Sequence, residues 1–214
     1  MKTMIVTGGN IETDFALDFM QKNKFDCLIG ADHGIEFLEE AGLTPDWIVG
    51  DFDSGNLETL ERFKEKGVPV RAFKPQKDST DTEIAVHLAL EVGSTEITIL
   101  GATGTRLDHV LGNIRNLSIP LHRGVPCFLV DGHNRIRMTD RPMTLSKKEQ
   151  YGQYVSILAH GERVENLCLR GFFYPLEGYT MTGDDAIGIS NEIVDERAEI
   201  IFDSGCILVI ESRD

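Results

Sequence analysis

The stretch Glu96-Ile97-Thr98-Ile99-Leu100-Gly101-Ala102-Thr103-Gly104-Thr105-Arg106-Leu107-Asp108-His109-Val110-Leu111 changes its periodicity partway along. Residues 96–100 read as a buried strand. Residues 101–106 are small or polar and carry two glycines. From Leu107 onward, apolar residues recur at Val110, Leu111, Ile114 and Leu117, the spacing of an amphipathic helix. Pro120 ends it. A strand, a glycine loop and a helix in that order predict a βαβ unit and a parallel sheet.

Working outward, the same alternation recurs. Strand patterns at residues 4–7, 27–30, 47–49, 68–73 and 126–130 are separated by helix patterns at 13–21, 35–41, 57–66 and 82–91. Gly42, Gly67 and Gly93 stand where helix C-caps belong. Pro69 makes the start of its strand an edge or a lead-in. Thr80 and Glu83 have the spacing of a capping box. Residues 1–131 therefore predict an α/β domain with a mostly parallel, doubly wound sheet. After Asp131-Gly132 helical periodicity disappears. Short β-rich runs at 135–138, 143–145, 154–158, 164–169, 179–181, 199–202 and 207–210, with glycine turns between several, predict a small all-β sandwich over 132–214.

Composition narrows the partners. With 35 acidic against 21 basic residues the net charge is −14, which disfavours nucleic acid and anionic membrane surfaces. No segment approaches the roughly 20 apolar residues a membrane span needs, and the N-terminal apolar run is too short for a signal peptide. Cys27, Cys127, Cys168 and Cys206 lie far apart without CxxC spacing and read as reduced residues of a cytoplasmic protein.

Three acidic segments follow strand patterns: Gly50-Asp51-Phe52-Asp53-Ser54, Lys77-Asp78-Ser79-Thr80-Asp81 and Arg106-Leu107-Asp108. In an open α/β sheet such strand ends line the ligand crevice. Clustered carboxylates repel and are driven to protonate unless a cation lies among them. Mg²⁺ takes carboxylate oxygens and is completed by phosphate. Asp51 and Asp53 flank Phe52, so extended backbone points both to one side. Asp78 and Asp81 bracket a helix start, where negative side chains also suit the helix dipole. The loop around Gly104 offers backbone N–H groups to phosphate, and Arg106 can grip phosphate oxygens in a bidentate way. It has neither the GxxxxGK[ST] nor the GxGxxG pattern. Each segment also has an ordinary reading, as helix caps for Asp32, Asp53 and Asp78 and as a surface turn for Ser190-Asn191. Together they point to metal-assisted transfer from a nucleoside triphosphate.

The segments in combination resemble the thiamine pyrophosphokinase family over nearly the whole chain. The matching stretches are GADHG (30–34), TPDWIVGDFDS (44–54), KDSTDTE (77–83), GATGTRLDHVLGN (101–113), GFFYPLEG (171–178), GISNE (188–192) and SGCILVIESRD (204–214). Thr105 stands where the family usually has a second glycine. The resemblance implies an α/β catalytic domain and a β-sandwich that helps to bind thiamine. It implies ATP as co-substrate, Mg²⁺, and a homodimer with active sites shared between subunits. Carried over by position, Asp51, Asp53, Asp78, Asp81 and Asp108 match the acidic positions around metal and phosphate. Catalytic roles fall to Asp53, Asp78, Asp81 and Arg106. Substrate contacts fall to Asp32, Lys77, Thr80, Gly104 and Asp108, and to Ser190 and Asn191 near thiamine. Another pyrophosphokinase, acting on a pterin alcohol, would share the acidic and glycine-arginine elements but need not keep Ser190-Asn191-Glu192. A non-catalytic nucleotide sensor would have no need to retain all five acidic positions.

Overall fold

The computed structural model describes residues 1–50, 57–72 and 79–214. The chain divides into two compact units, Met1–Gly132 and His133–Asp214.

In the first unit, strands β1 (Lys2–Val6), β2 (Cys27–Ala31), β3 (Trp47–Gly50), β4 (Val70–Ala72), β5 (Glu96–Leu100) and β6 (Cys127–Val130) pair in parallel, in the order β6-β5-β1-β2-β3-β4. Strands covered on both faces bury consecutive residues rather than alternate ones. Met4, Ile5 and Val6 of β1 and Ile48 and Val49 of β3 are accordingly all fully buried. Pro69 lies just ahead of β4, the end strand of this order, and its carbonyl accepts from Ile48 N–H at 3.0 Å.

Helices α1 (Thr13–Lys22), α2 (Gly34–Glu40), α3 (Leu57–Glu65), α4 (Asp81–Glu91), α5 (Leu107–Asn116) and α6 (Ser118–Leu121) fill the connections. Winding runs outward from β1 to β4, then returns to the far side of β1 with β5 and β6. With right-handed crossovers, this reversal sends helices to both faces. Accordingly α2 packs with α3, and α4 packs with α5 and α6. The neighbours β1 and β5 are the switch point, and a crevice opens beyond their carboxyl ends.

The apolar stripe expected on α5 is not a uniformly packed face. Leu117 is buried, but Leu107 and Leu111 are 72% and 60% exposed. Asn113 is the buried residue within α5. Near its start the inner side of the helix meets the crevice and its loop, where polar groups are needed, so the leucines there turn outward.

In the second unit, β7 (Asn134–Thr139), β8 (Met143–Ser146), β9 (Tyr154–Ala159), β10 (Arg163–Arg170), β11 (Leu176–Thr182), β12 (Asn191–Glu192), β13 (Arg197–Ile201) and β14 (Ile207–Ser212) form two antiparallel layers. One runs β12-β9-β14-β7 and the other β11-β10-β13-β8. Val155, Ile157, Ile207 and Val209 from the first layer share a core with Leu145, Val164, Leu167, Met181 and Ile200 from the second. This is the sandwich arrangement, with alternate residues of each strand turned inward. The inward row Arg135, Glu211, Val155, Asn191 crosses all strands of the first layer. Glu211 is fully buried, and both its oxygens receive Arg135 at 2.8 Å. Tyr151 N–H adds a bond at 3.1 Å, so the buried charge is paired as burial demands.

Candidate functional site

Loops of the first unit converge on the β1–β5 switch point and enclose a cavity of about 870 Å³. Two of them are fastened backbone to backbone. Gly9 N–H donates to Gly101 O at 2.7 Å, and Asn10 N–H to Thr103 O at 2.7 Å. This approach leaves no room for side chains. A Cβ on Gly9 would lie 2.2 Å from Gly101 O. One on Gly101, whose φ is +71°, would lie 2.2 Å from Thr7 O. From inside, Asn113 donates from Nδ2 to Ala102 O at 2.8 Å.

The start of α4 forms a second wall. Thr80 is its N-cap, with extended backbone and an Oγ1 that accepts from Glu83 N–H at 3.2 Å. The Glu83 carboxylate takes the Ser79 hydroxyl at 2.9 Å. A buried hydroxyl pair, Thr7 Oγ1 and Thr82 Oγ1 at 2.8 Å, ties this helix start to the end of β1.

Asp32 follows β2 with φ at +51°, a conformation that Asp tolerates better than most residues. Its carboxylate lies over Gly8, where a Cβ would come within 2.7 Å of Oδ2. Next to it, His33 Nδ1 lies 3.1 Å from Glu36 Oε1. That bond raises the imidazole pKa above its ordinary value; burial opposes the rise and Asp32 adds to it. At the mouth of the cavity Arg106 and Asp108 pair, with Nη2 to Oδ2 at 2.6 Å. The guanidinium holds the Asp108 carboxyl below the usual carboxylate range.

Of the residues singled out in the sequence, Asp32, Thr80, Asp81, Gly104, Arg106 and Asp108 all line this cavity. Asp51, Asp53, Lys77 and Asp78 lie outside the described residues. Ser190 and Asn191 belong to the second unit. Ser190 is exposed, has φ at +55°, and donates its N–H to Ser156 Oγ at 3.0 Å. Asn191 is 2% exposed. Its Oδ1 accepts from Tyr174 N–H at 2.9 Å and Glu192 N–H at 3.0 Å, and its Nδ2 donates to Tyr174 O at 2.8 Å. Those bonds hold the turn that presents Phe173 and Tyr174, both exposed, with ring centroids 4.9 Å apart.

Among the described residues, no group of three or more His, Cys, Asp or Glu side chains is arranged to hold a metal ion. The carboxylates described on the cavity wall, Asp32, Asp81 and Asp108, are hard oxygen donors of the kind Mg²⁺ takes. Three contributors to the cavity were not singled out in the sequence: the Gly8-Gly9-Asn10 loop, His33 and Asn113. A glycine pair directly after a strand was the available signal for the first. Nothing local marks Asn113.

Comparison with known proteins agrees along both units. Residues 20–129 match the family described as thiamin pyrophosphokinase, catalytic domain. Residues 142–207 match thiamin pyrophosphokinase, vitamin B1 binding domain. Thiamine pyrophosphokinase of Bacillus subtilis (strain 168) is 33% identical over 186 residues, covering 87% of this chain and 87% of that protein. A crystal structure of thiamine pyrophosphokinase from Bacillus subtilis superposes with a TM-score of 0.88 at 32% identity, covering 100% of both chains. That of thiamin pyrophosphokinase from Geobacillus thermodenitrificans gives 0.86 at 32%, covering 100% of this chain and 98% of the other.

Proposed function

The chain belongs to the thiamine pyrophosphokinase family, and from that premise we propose that it carries out a Mg²⁺-dependent transfer of the ATP pyrophosphoryl group to the thiamine hydroxyl. The hydroxyl oxygen attacks the β-phosphorus of ATP. The bond from that phosphorus to the α-phosphate oxygen breaks. AMP leaves, thiamine diphosphate forms, and the hydroxyl proton passes to a carboxylate among Asp53, Asp78 and Asp81.

The observation that carries this reading is the pair of fastened glycine loops at the switch point, with Arg106 at the mouth of the cavity. Such a loop at a helix start suits polyphosphate. Transfer of this kind is mostly positioning and charge neutralisation. We assign Lys77, Thr80 and Gly104 to the phosphates and Asp32 to a further nucleotide contact. Asp51, Asp53, Asp78, Asp81 and Asp108 would hold Mg²⁺, which when bound neutralises charge on the phosphates. Arg106 then exchanges Asp108 for phosphate oxygens.

Thiamine is assigned to the second unit through Ser190 and Asn191, and the enzyme to a homodimer with active sites shared between subunits. Exposed Leu107 and Leu111 support an association surface. The four free cysteines fit a reducing, cytoplasmic setting. Among the described residues no helix is long and apolar enough to cross a membrane.

The test offers thiamine and a pterin alcohol side by side, each with ATP, with Mg²⁺ or with EDTA. AMP should form only with thiamine and Mg²⁺. AMP formation with the pterin alcohol alone, or full turnover in EDTA, would contradict the reading.

A further inference from the structure

We propose that Asn113 is a positioning residue for nucleotide binding: its amide holds the Ala102 carbonyl away from the cavity, so that the glycine loop turns N–H groups toward phosphate. The inference rests on the nucleotide reading of the cavity.

Three successive loop carbonyls are each tied down. Gly101 O accepts from Gly9 N–H at 2.7 Å, Ala102 O from Asn113 Nδ2 at 2.8 Å, and Thr103 O from Asn10 N–H at 2.7 Å. In a planar trans peptide the C=O of one residue points opposite to the N–H of the next. Fixing these carbonyls therefore fixes the N–H directions of Ala102, Thr103 and Gly104. Among the described residues, no acceptor takes the N–H groups of Thr103, Gly104, Thr105 or Arg106. Gly104, Thr105 and Arg106 are exposed and Thr103 is half-buried, so these donors are accessible to an incoming phosphate oxygen.

Two of the three ties join backbone to backbone, so they follow from the fold alone. The third depends on one side chain. Asn is a poor residue for a helix interior, yet here it is 8% exposed and lines the cavity. Without its donor, the peptide between Ala102 and Thr103 is free to turn its carbonyl toward the phosphates. A carbonyl dipole there repels them, and the Thr103 N–H is lost to the ligand.

The experiment measures ADP binding by calorimetry in magnesium buffer, and the KM values for ATP and thiamine, in wild type, Asn113→Ala and Asn113→Asp. The Asp variant keeps the side-chain shape, so the test stands even where the Ala variant folds poorly. Both variants should bind ADP roughly ten- to a hundredfold more weakly. Their thiamine KM should stay within about twofold of wild type, since uniform structural damage would move both substrates. The deficit of Asn113→Asp relative to wild type should shrink as pH falls from about 8 to about 5, because a protonated carboxyl regains a donor for Ala102 O. Wild-type affinity in both variants, or equal losses for ATP and thiamine, overturns the role of Asn113 alone. Wild-type protein that fails to bind ADP overturns the nucleotide reading as well.

Discussion

Arg106 and Asp108 are 69% and 65% exposed, and in the chain by itself they satisfy each other. Exposed pairs of this kind hold only weakly against water, so phosphate can displace the carboxylate at little cost. Arg106→Ala should lower kcat by roughly 10²–10³, the loss seen when one transition-state charge stabiliser is removed. Arg106→Lys should recover only part, because a point charge does not reproduce the guanidinium fork. An alanine variant within a few-fold of wild type would reduce Arg106 to a surface residue. Glu39 offers a test away from the cavity. The Arg62 guanidinium, whose Nη2 lies 2.7 Å from Oε2, and the Thr59 hydroxyl hold its carboxyl down to about 2. A depressed folded-state pKa contributes stability above the unfolded value, near 4.3, and that contribution is lost as pH falls toward the folded one. Urea unfolding of Glu39→Gln should therefore show a shallower loss of stability between about pH 4.5 and 2, by about 1 kcal/mol. An unchanged acid limb would remove Glu39 from the account. At this scale the meeting of Asp32, Arg106 and Asp108 on one cavity was legible, because charged side chains after strand ends mark a crevice. Asn113 was not, because its role is set by Ala102, a partner that only the fold brings to it.

The glycine loops govern the next scale. Gly101 combines a positive φ with a Cβ position 2.2 Å from Thr7 O, so Gly101→Ala strains the loop twice. It should cost about 2–4 kcal/mol in urea unfolding and weaken ADP binding along with it. A stable Gly101→Ala variant with normal ADP affinity would show that the fastening of the two loops is incidental. The elements themselves were largely readable. Strand and helix patterns in the first unit follow the sequence periodicity to within a residue or two, since long runs of one period dominate local choice. The α4 cap was also readable, as Thr80 does take Glu83 N–H. The outward turn of Leu107 and Leu111 was not, since spacing marks a shared stripe but not which side of it meets protein. The two-residue strand β12 was too short to show any period.

At the scale of the whole molecule, each unit carries half of the proposed chemistry, the cavity lined by Arg106 in one and the exposed Ser190 in the other. Ser190→Ala should raise the thiamine KM by roughly tenfold while moving the ATP KM by less than about twofold, as loss of one hydrogen bond to a single substrate requires. Equal effects on both would place Ser190 elsewhere. The division into an α/β half and a β half was visible in the sequence because helical periodicity stops after Gly132. The sheet orders were not, because the pairing of β9 with β14 and of β1 with β5 joins strands far apart in the chain. The central claim is that the β-phosphorus of ATP is the atom attacked. Phosphorus NMR of the wild-type enzyme with ATP, thiamine and Mg²⁺ tests it most directly. Thiamine diphosphate and AMP should grow in equal amounts without ADP. Thiamine monophosphate growing together with ADP would contradict it.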